Sequence, residues 1–313
     1  MTHHLFIVNP AAGKADRSEA IEKAVNNAKE QGAVEGEVSL YRTAGPGDAT
    51  EYLINFLRET KDDVRVYACG GDGTLNEVVK GIYASGKENV ALGVVPTGSG
   101  NDFIRSFAIP ESSFRSVRDM MKGKVTPIDL IRVTSEDGVE YVCINVASAG
   151  FDAAVCRKMQ SFRRLPMMGG SVAYNMALVR QFLGHLGHKF QVFGDGKPMK
   201  TPNKDEYLFT VVANGKYYGG GYCCSPKSSL SDGLLNLVMI ESIPRTQFPG
   251  LLGPYRKGEY FEKLEGRMLH KTVKTVEFRG EEPLDMNLDG EIIAIKNPVL
   301  DVIHHAVGLI LPG

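Results

Sequence analysis

One stretch concentrates the residue types of phosphate chemistry: Cys69-Gly70-Gly71-Asp72-Gly73-Thr74-Leu75-Asn76-Glu77-Val78. Its glycines let backbone N–H groups come close to a ligand, and some of them can admit positive φ. Unpaired N–H groups at the start of the helix that follows favour an anion such as phosphate, as does the positive end of its dipole. Asp72 runs against a bare phosphate, because a carboxylate repels it. The pairing makes sense if a Mg²⁺ or a protonated hydroxyl sits between them. Two further turns have a similar character. Asn9-Pro10-Ala11-Ala12-Gly13-Lys14 offers small residues with Lys14 as a point charge, although a plain strand–helix loop would read the same way. Lys14 is not followed by Ser or Thr in a GxxxxGK[ST] frame, which excludes a Walker A loop. Pro96-Thr97-Gly98-Ser99-Gly100-Asn101-Asp102-Phe103 is the third.

Each turn follows an apolar, strand-like run, at residues 5–8, 64–69 and 90–95. A further strand over 37–41 leads into Arg42-Thr43-Ala44-Gly45-Pro46-Gly47. The pairs Thr74/Glu77, Asp16/Glu19 and Asp48/Glu51 have the spacing of helix capping boxes, so a helix is expected to start at Thr74. Ile21, Ala24, Val25 and Ala28 fall on one helical face, as do Tyr52, Leu53, Phe56 and Leu57. Strands alternating with helices predict a parallel α/β sheet, with ligands gathered outside the carboxyl ends of its strands.

Beyond residues 122–127 the pattern changes to short strands, expected over 129–133, 140–146, 189–193, 207–214, 234–241, 273–279 and 285–295. That argues for a β-rich second domain. The boundaries read as 1–126 for the α/β domain and 127–299 for the β-rich one. Residues 300–313 form a closing strand and tail that can return to the first domain. One helix-like interruption, 157–186, mixes Arg and Lys with Met and aromatic residues. It suits either an anionic membrane surface or a solvated helix on the second domain.

At 313 residues the chain can hold two domains and a sizeable core. A net charge of −1 supplies no global field for nucleic acid. The five cysteines form no CxxC pair and read as reduced, buried thiols. Without a signal-peptide shape or a membrane-spanning apolar run, the expected setting is cytoplasmic, with peripheral contact at the inner membrane surface.

The three turns, taken together and in this order, resemble the catalytic domain of diacylglycerol kinases and their bacterial lipid-kinase relatives; sphingosine and ceramide kinases share that domain. The resemblance continues through Asn214-Gly215, Gly219-Gly220-Gly221 and Asp232-Gly233-Leu234 to Asp289-Gly290-Glu291 and covers nearly the whole chain. It implies a Rossmann-like nucleotide-binding α/β domain followed by a β-sandwich-like domain. It also implies ATP- and Mg²⁺-dependent transfer of the γ-phosphate to a lipid hydroxyl, most simply diacylglycerol to phosphatidic acid. Kinases of other lipid alcohols, an NAD kinase-like enzyme and a non-catalytic nucleotide-binding regulator stand as alternatives.

Carried over position by position, Asn9, Pro10, Ala11, Ala12, Gly13 and Lys14 line the nucleotide. So do Gly70, Gly71, Asp72, Gly73, Thr74, Leu75, Asn76 and Glu77, with Thr43 and Ser99 as further contacts. Ser99 stands where the family usually has threonine, which keeps the hydroxyl and loses the methyl. Asp72, Asp102 and Asp129 make an acidic network around the catalytic Mg²⁺. Glu291 is implied as general base, the alternative being a solvated hairpin turn. Ser229, Asp232 and Leu234 mark a second, structural Mg²⁺ site, or else an ordinary β-turn. An exposed edge strand in the β-rich part is compatible with a homodimer.

Overall fold

The computed structural model describes residues 2–32, 35–163, 180, 184 and 186–313. Most of the basic, methionine-rich stretch 157–186 lies outside these described residues. The chain divides into two compact units, residues 1–130 with 304–313, and residues 131–303.

The first unit begins with β1 (Thr2–Val8), α1 (Ser18–Glu30), β2 (Glu37–Arg42), α2 (Asp48–Glu59), β3 (Asp63–Gly70), α3 (Asp72–Ser85) and β4 (Val90–Pro96). Two short helices follow, α4 (Glu111–Arg115) and α5 (Val117–Lys122). The strands pair in the order β2-β1-β3-β4, all parallel. Leu5, Phe6, Ile7 and Val8 are all buried, as a strand covered on both faces requires. The chain steps from β1 outward to β2 and then back across to β3. The order therefore reverses between β1 and β3, the kind of point outside whose carboxyl ends open α/β sheets bind ligands. Residues 9–13 and 70–73 are the two turns at that point. On the far side of β4, the expected closing strand and tail are one strand, Val299–Leu311, whose Gly308 and Leu309 pair parallel with Ala91 and Leu92.

Helix starts depart from the capping-box expectation. α3 begins at Asp72, two residues before Thr74, and no side chain caps it. Thr74 and Glu77 are taken by distant partners: Asn9 Nδ2 donates to Thr74 Oγ1 at 2.9 Å, and Gly47 N–H donates to Glu77 at 2.9 Å. Asp16 instead binds Ser18, and Asp48 accepts from Ala44 N–H at 2.7 Å and from the Tyr41 hydroxyl. Distant partners outcompete the local cap at Thr74 and Glu77, while Asp16 and Asp48 are taken by other groups within seven residues.

In the second unit, Met268–Val273, Leu235–Glu241, Tyr207–Ala213, Val146–Gly150, Leu284–Leu288 and Glu291–Ile295 form an antiparallel sheet in that order. One face packs Ala147, Val212, Leu237, Met286 and Leu288 against Ile131, Val133, Val192, Val276 and Phe278 from a second sheet. The arrangement is sandwich-like. The opposite face is covered by helices Phe151–Arg163, Phe248–Lys257 and Tyr260–Lys263, whose Phe151 and Tyr255 pack on Phe209 of the sheet beside Phe248 and Tyr260. The five cysteines are free thiols. No helix among the described residues is long and apolar enough to cross a membrane.

Candidate active site

The turns after β1, β3 and β4 are bound to one another chiefly through the backbone. Thr97 N–H and Gly98 N–H donate to Gly70 O at 2.8 and 3.2 Å. Asn9 N–H donates to Cys69 O at 3.0 Å, while its side chain reaches Thr74 in the first turn of α3. A Cβ on Gly98 would lie 2.4 Å from Gly71 Cα, and one on Gly100 would lie 2.8 Å from Asp72 Oδ2. Backbone at Gly98 and the Asp72 carboxylate at Gly100 leave no room for a side chain. Contrary to expectation, Gly70, Gly71 and Gly73 all lack positive φ. Close approach accounts for Gly70 and Gly71. At Gly73 nothing beyond its chain neighbours and its own helical turns lies within 4 Å of where its Cβ would stand, so it faces open space. Gly13 does need its conformation (φ +80°), and a Cβ there would meet Thr97 O at 2.3 Å.

Asp72 lies in the first turn of α3. Its Oδ1 accepts from the backbone N–H groups of Asp102 and Phe103, at 2.8 and 3.3 Å. Burial raises its pKa above the ordinary carboxylate value, and the Asp102 charge adds to this, while the backbone hydrogen bonds oppose it. Asp102 is buried and pairs with Arg105 at 3.4 Å. Asn101 sits beside it with φ 53° and donates to Gly98 O at 3.0 Å. The arrangement sets two carboxylates against a glycine-lined helix start, with few side chains in the way. Such a site can hold an anion on the helix N–H groups and a hard cation on the carboxylates.

The other residues singled out from the sequence take varied positions. Ala11 N–H binds Asn9 Oδ1 at 3.0 Å and Ala12 N–H binds Asn9 O at 3.1 Å, closing the Pro10 turn. Lys14 and Ser99 are exposed. Thr43 is half-buried, its N–H donating to Val8 O at 2.9 Å. Leu75 and Asn76 are buried in α3. Asp129 is fully buried and receives hydrogen bonds from His304 Nδ1 and His305 N–H at 2.9 and 2.8 Å.

Glu291, Ser229, Asp232 and Leu234 belong to the second unit. Glu291 is exposed at the head of its strand. The turn before it is held by Asp289, in the left-handed region at φ 49°, whose carboxylate accepts from the N–H groups of Ile144, Asn145 and Val146 at 2.7, 3.2 and 2.8 Å. Asp232 is exposed and accepts from Leu234 N–H at 3.1 Å across Gly233, with Ser229 half-buried nearby in sequence. The anchoring role of Asp289 and the contact of His304 and His305 with Asp129 were not foreseen. Both join residues more than 140 positions apart, and no local spacing signals them.

Residues 3–133 match the diacylglycerol kinase catalytic domain, and residues 145–311 match the YegS C-terminal NAD kinase beta sandwich-like domain. The chain belongs to the YegS-like lipid kinase family. It is 28% identical over 316 residues to the "Probable lipid kinase YegS-like" of Yersinia enterocolitica serotype O:8, covering 100% of this chain and 98% of that one. The protein of the same description from Xanthomonas oryzae pv. oryzae is 27% identical over 295 residues, covering 93% and 90%. A diacylglycerol kinase crystal structure from Bacillus anthracis superposes with a TM-score of 0.69 at 21% identity, covering 98% of this chain and 96% of that one. At that identity the likeness concerns the fold. The mixed α/β first domain and the sandwich-like second domain are those of this family.

Proposed function

We propose that this YegS-like kinase transfers the γ-phosphate of ATP to the hydroxyl of a lipid alcohol, with diacylglycerol the first candidate, at the inner membrane surface. The observation that carries the reading is the placement of Asp72. It is a carboxylate with a raised pKa, seated on two backbone N–H groups where three glycine turns meet. Asn9 to Lys14 and Gly70 to Glu77 would cradle the nucleotide, helped by Thr43 and Ser99. Asp72 and Asp102, with Asp129 as a further member of the network, would hold the Mg²⁺ that accompanies ATP. The site fits such an ion, since it combines hard oxygen donors with a glycine-lined opening. Bound Mg²⁺ would neutralise charge on the phosphates.

The residues of the chain do the remaining work. The first-turn N–H groups of α3 bind phosphate oxygens, and the backbone bonds on Asp72 fix its carboxylate in place. Glu291, exposed and on a hairpin pinned by Asp289, would accept the proton of the lipid hydroxyl. Ser229 and Asp232, with the main chain of Leu234, would hold a second, structural Mg²⁺ on oxygen donors.

The test is transfer of labelled γ-phosphate from ATP with Mg²⁺ to mixed-micelle diacylglycerol, sphingosine and monoacylglycerol, with NAD as a parallel acceptor. Phosphatidic acid that disappears in Asp72→Ala is the expected result. Product from NAD alone, or ATP binding with no transfer to any acceptor, would overturn the proposal.

A further inference from the structure

His304 and His305 are neighbours in the strand Val299–Leu311, where successive side chains ordinarily point to opposite faces. His305 departs from the strand conformation, with φ 52°. That left-handed setting is uncommon for a residue with a Cβ. The two imidazoles stack instead of alternating, with centroids 3.7 Å apart and planes at 28°. Against them lies the buried Asp129 carboxylate, whose Oδ1 is 2.9 Å from His304 Nδ1. One donor atom from each of Asp129, His304 and His305 falls within a set no wider than 4.8 Å. The His304 side chain is 51% exposed while that of Asp129 is 0% exposed, so an ion from solvent can reach a ligand held rigid from below.

We propose that Asp129, His304 and His305 form a binding site for a borderline divalent cation, with Zn²⁺ the representative ion. The donor set decides the class. Two imidazoles with one carboxylate suit Zn²⁺, Cu²⁺ or Ni²⁺, whereas Mg²⁺ takes oxygen. Zn–N and Zn–O bonds of about 2.0–2.1 Å place tetrahedral ligands about 3.3 Å apart. The exposed imidazoles close the remaining distance by rotation over a fixed carboxylate, and water takes the fourth position. A cation bound through His304 Nδ1 occupies the place of the hydrogen now shared with Asp129, and the ring carries its proton on Nε2. The other adjacent pair, His3 and His4, is buried, with the side chains bound to Ser39 and Tyr67 at 2.6 and 2.9 Å. The site shares Asp129 with the Mg²⁺ network proposed above, and its test reads His304 and His305, which that network does not use.

The full chain, stripped with chelator, is titrated with Co²⁺, whose visible absorption reports nitrogen coordination, and then with Zn²⁺ in competition. Binding of one Co²⁺ per chain is expected, displaced by Zn²⁺ and unaffected by Mg²⁺. His304→Gln and His305→Gln should each weaken binding by about 10-fold or more. The double variant should lose the spectrum while its metal-free unfolding temperature stays that of the parent. A spectrum no different from aqueous Co²⁺, one displaced by Mg²⁺, or one retained in the double variant would each overturn the proposal.

Discussion

Gly73→Ala separates a phosphate cradle from an ordinary helix start. Beyond its chain neighbours and its own helical turns, no atom lies within 4 Å of the added methyl, and Gly73 does not have positive φ. It is the second residue of α3, so alanine should leave stability unchanged or raise it, by up to about 1 kcal/mol from helix propensity. Such a gain would lift the unfolding temperature by a few degrees at most. The open space above Gly73 is also where the proposed phosphates would press on the backbone, so the methyl should exclude them. A rise in the KM for ATP of at least about 10-fold is expected, equivalent to about 1.4 kcal/mol. Gly98→Ala is the contrasting variant. Its methyl would sit 2.4 Å from Gly71 Cα, and overpacking against backbone should lower stability by about 1–3 kcal/mol. The assays are thermal unfolding without ligand and the ATP dependence of transfer. Gly73→Ala with unchanged unfolding temperature and unchanged KM would refute the cradle.

Further expectations concern four side chains. Asp72→Asn keeps the acceptor for the Asp102 and Phe103 N–H groups but removes a charge disfavoured first by burial and then by Asp102. A carboxyl with a raised folded pKa is stabilising when protonated, and that contribution is lost as pH rises through the folded value. The variant should therefore unfold at a higher temperature at neutral pH, with the gain shrinking towards about pH 4, while transfer falls to background. Glu291→Gln should cut kcat by about 100-fold or more, with the KM for ATP unchanged and no loss of stability, since Glu291 is exposed. Asp289→Ala strips the three N–H groups of Ile144, Asn145 and Val146 of their acceptor. Urea unfolding should register a loss of about 2–4 kcal/mol. Burial, then Arg65 and His3, lower the His4 pKa from 6.5 to about 4. A base with a depressed folded pKa destabilises the fold as pH falls from 6.5 through about 4, by about 3 kcal/mol at the acid end. His4→Gln should flatten that limb in unfolding measured across pH.

The glycine turns and the parallel α/β character of the first unit were legible because each rests on local signals. An apolar run of about four to six residues followed by glycine and a small polar residue has few alternatives to a strand and its turn. Parallel pairing then follows, because helices intervene between the strands. The helix starts were misread where the capping residue had a better partner elsewhere, as Thr74 has in Asn9 and Glu77 has in Gly47. Propensity for a cap amounts to about 1 kcal/mol, and a tertiary hydrogen bond can match it.

What the sequence determined by itself was which groups stand at the strand ends: glycine backbone, Asp72 and Asp102, each set by residues within a few positions of one another. What only the tertiary structure decided was which distant groups meet. Asp289 accepts from Ile144, 145 positions away, and Asp129 accepts from His304, 175 positions away. The reversed conformation of His305 turns two neighbouring imidazoles onto one side. Such meetings depend on the registers of strands paired across the whole chain, which no window of sequence contains, because each register is fixed by the packing of complete sheets.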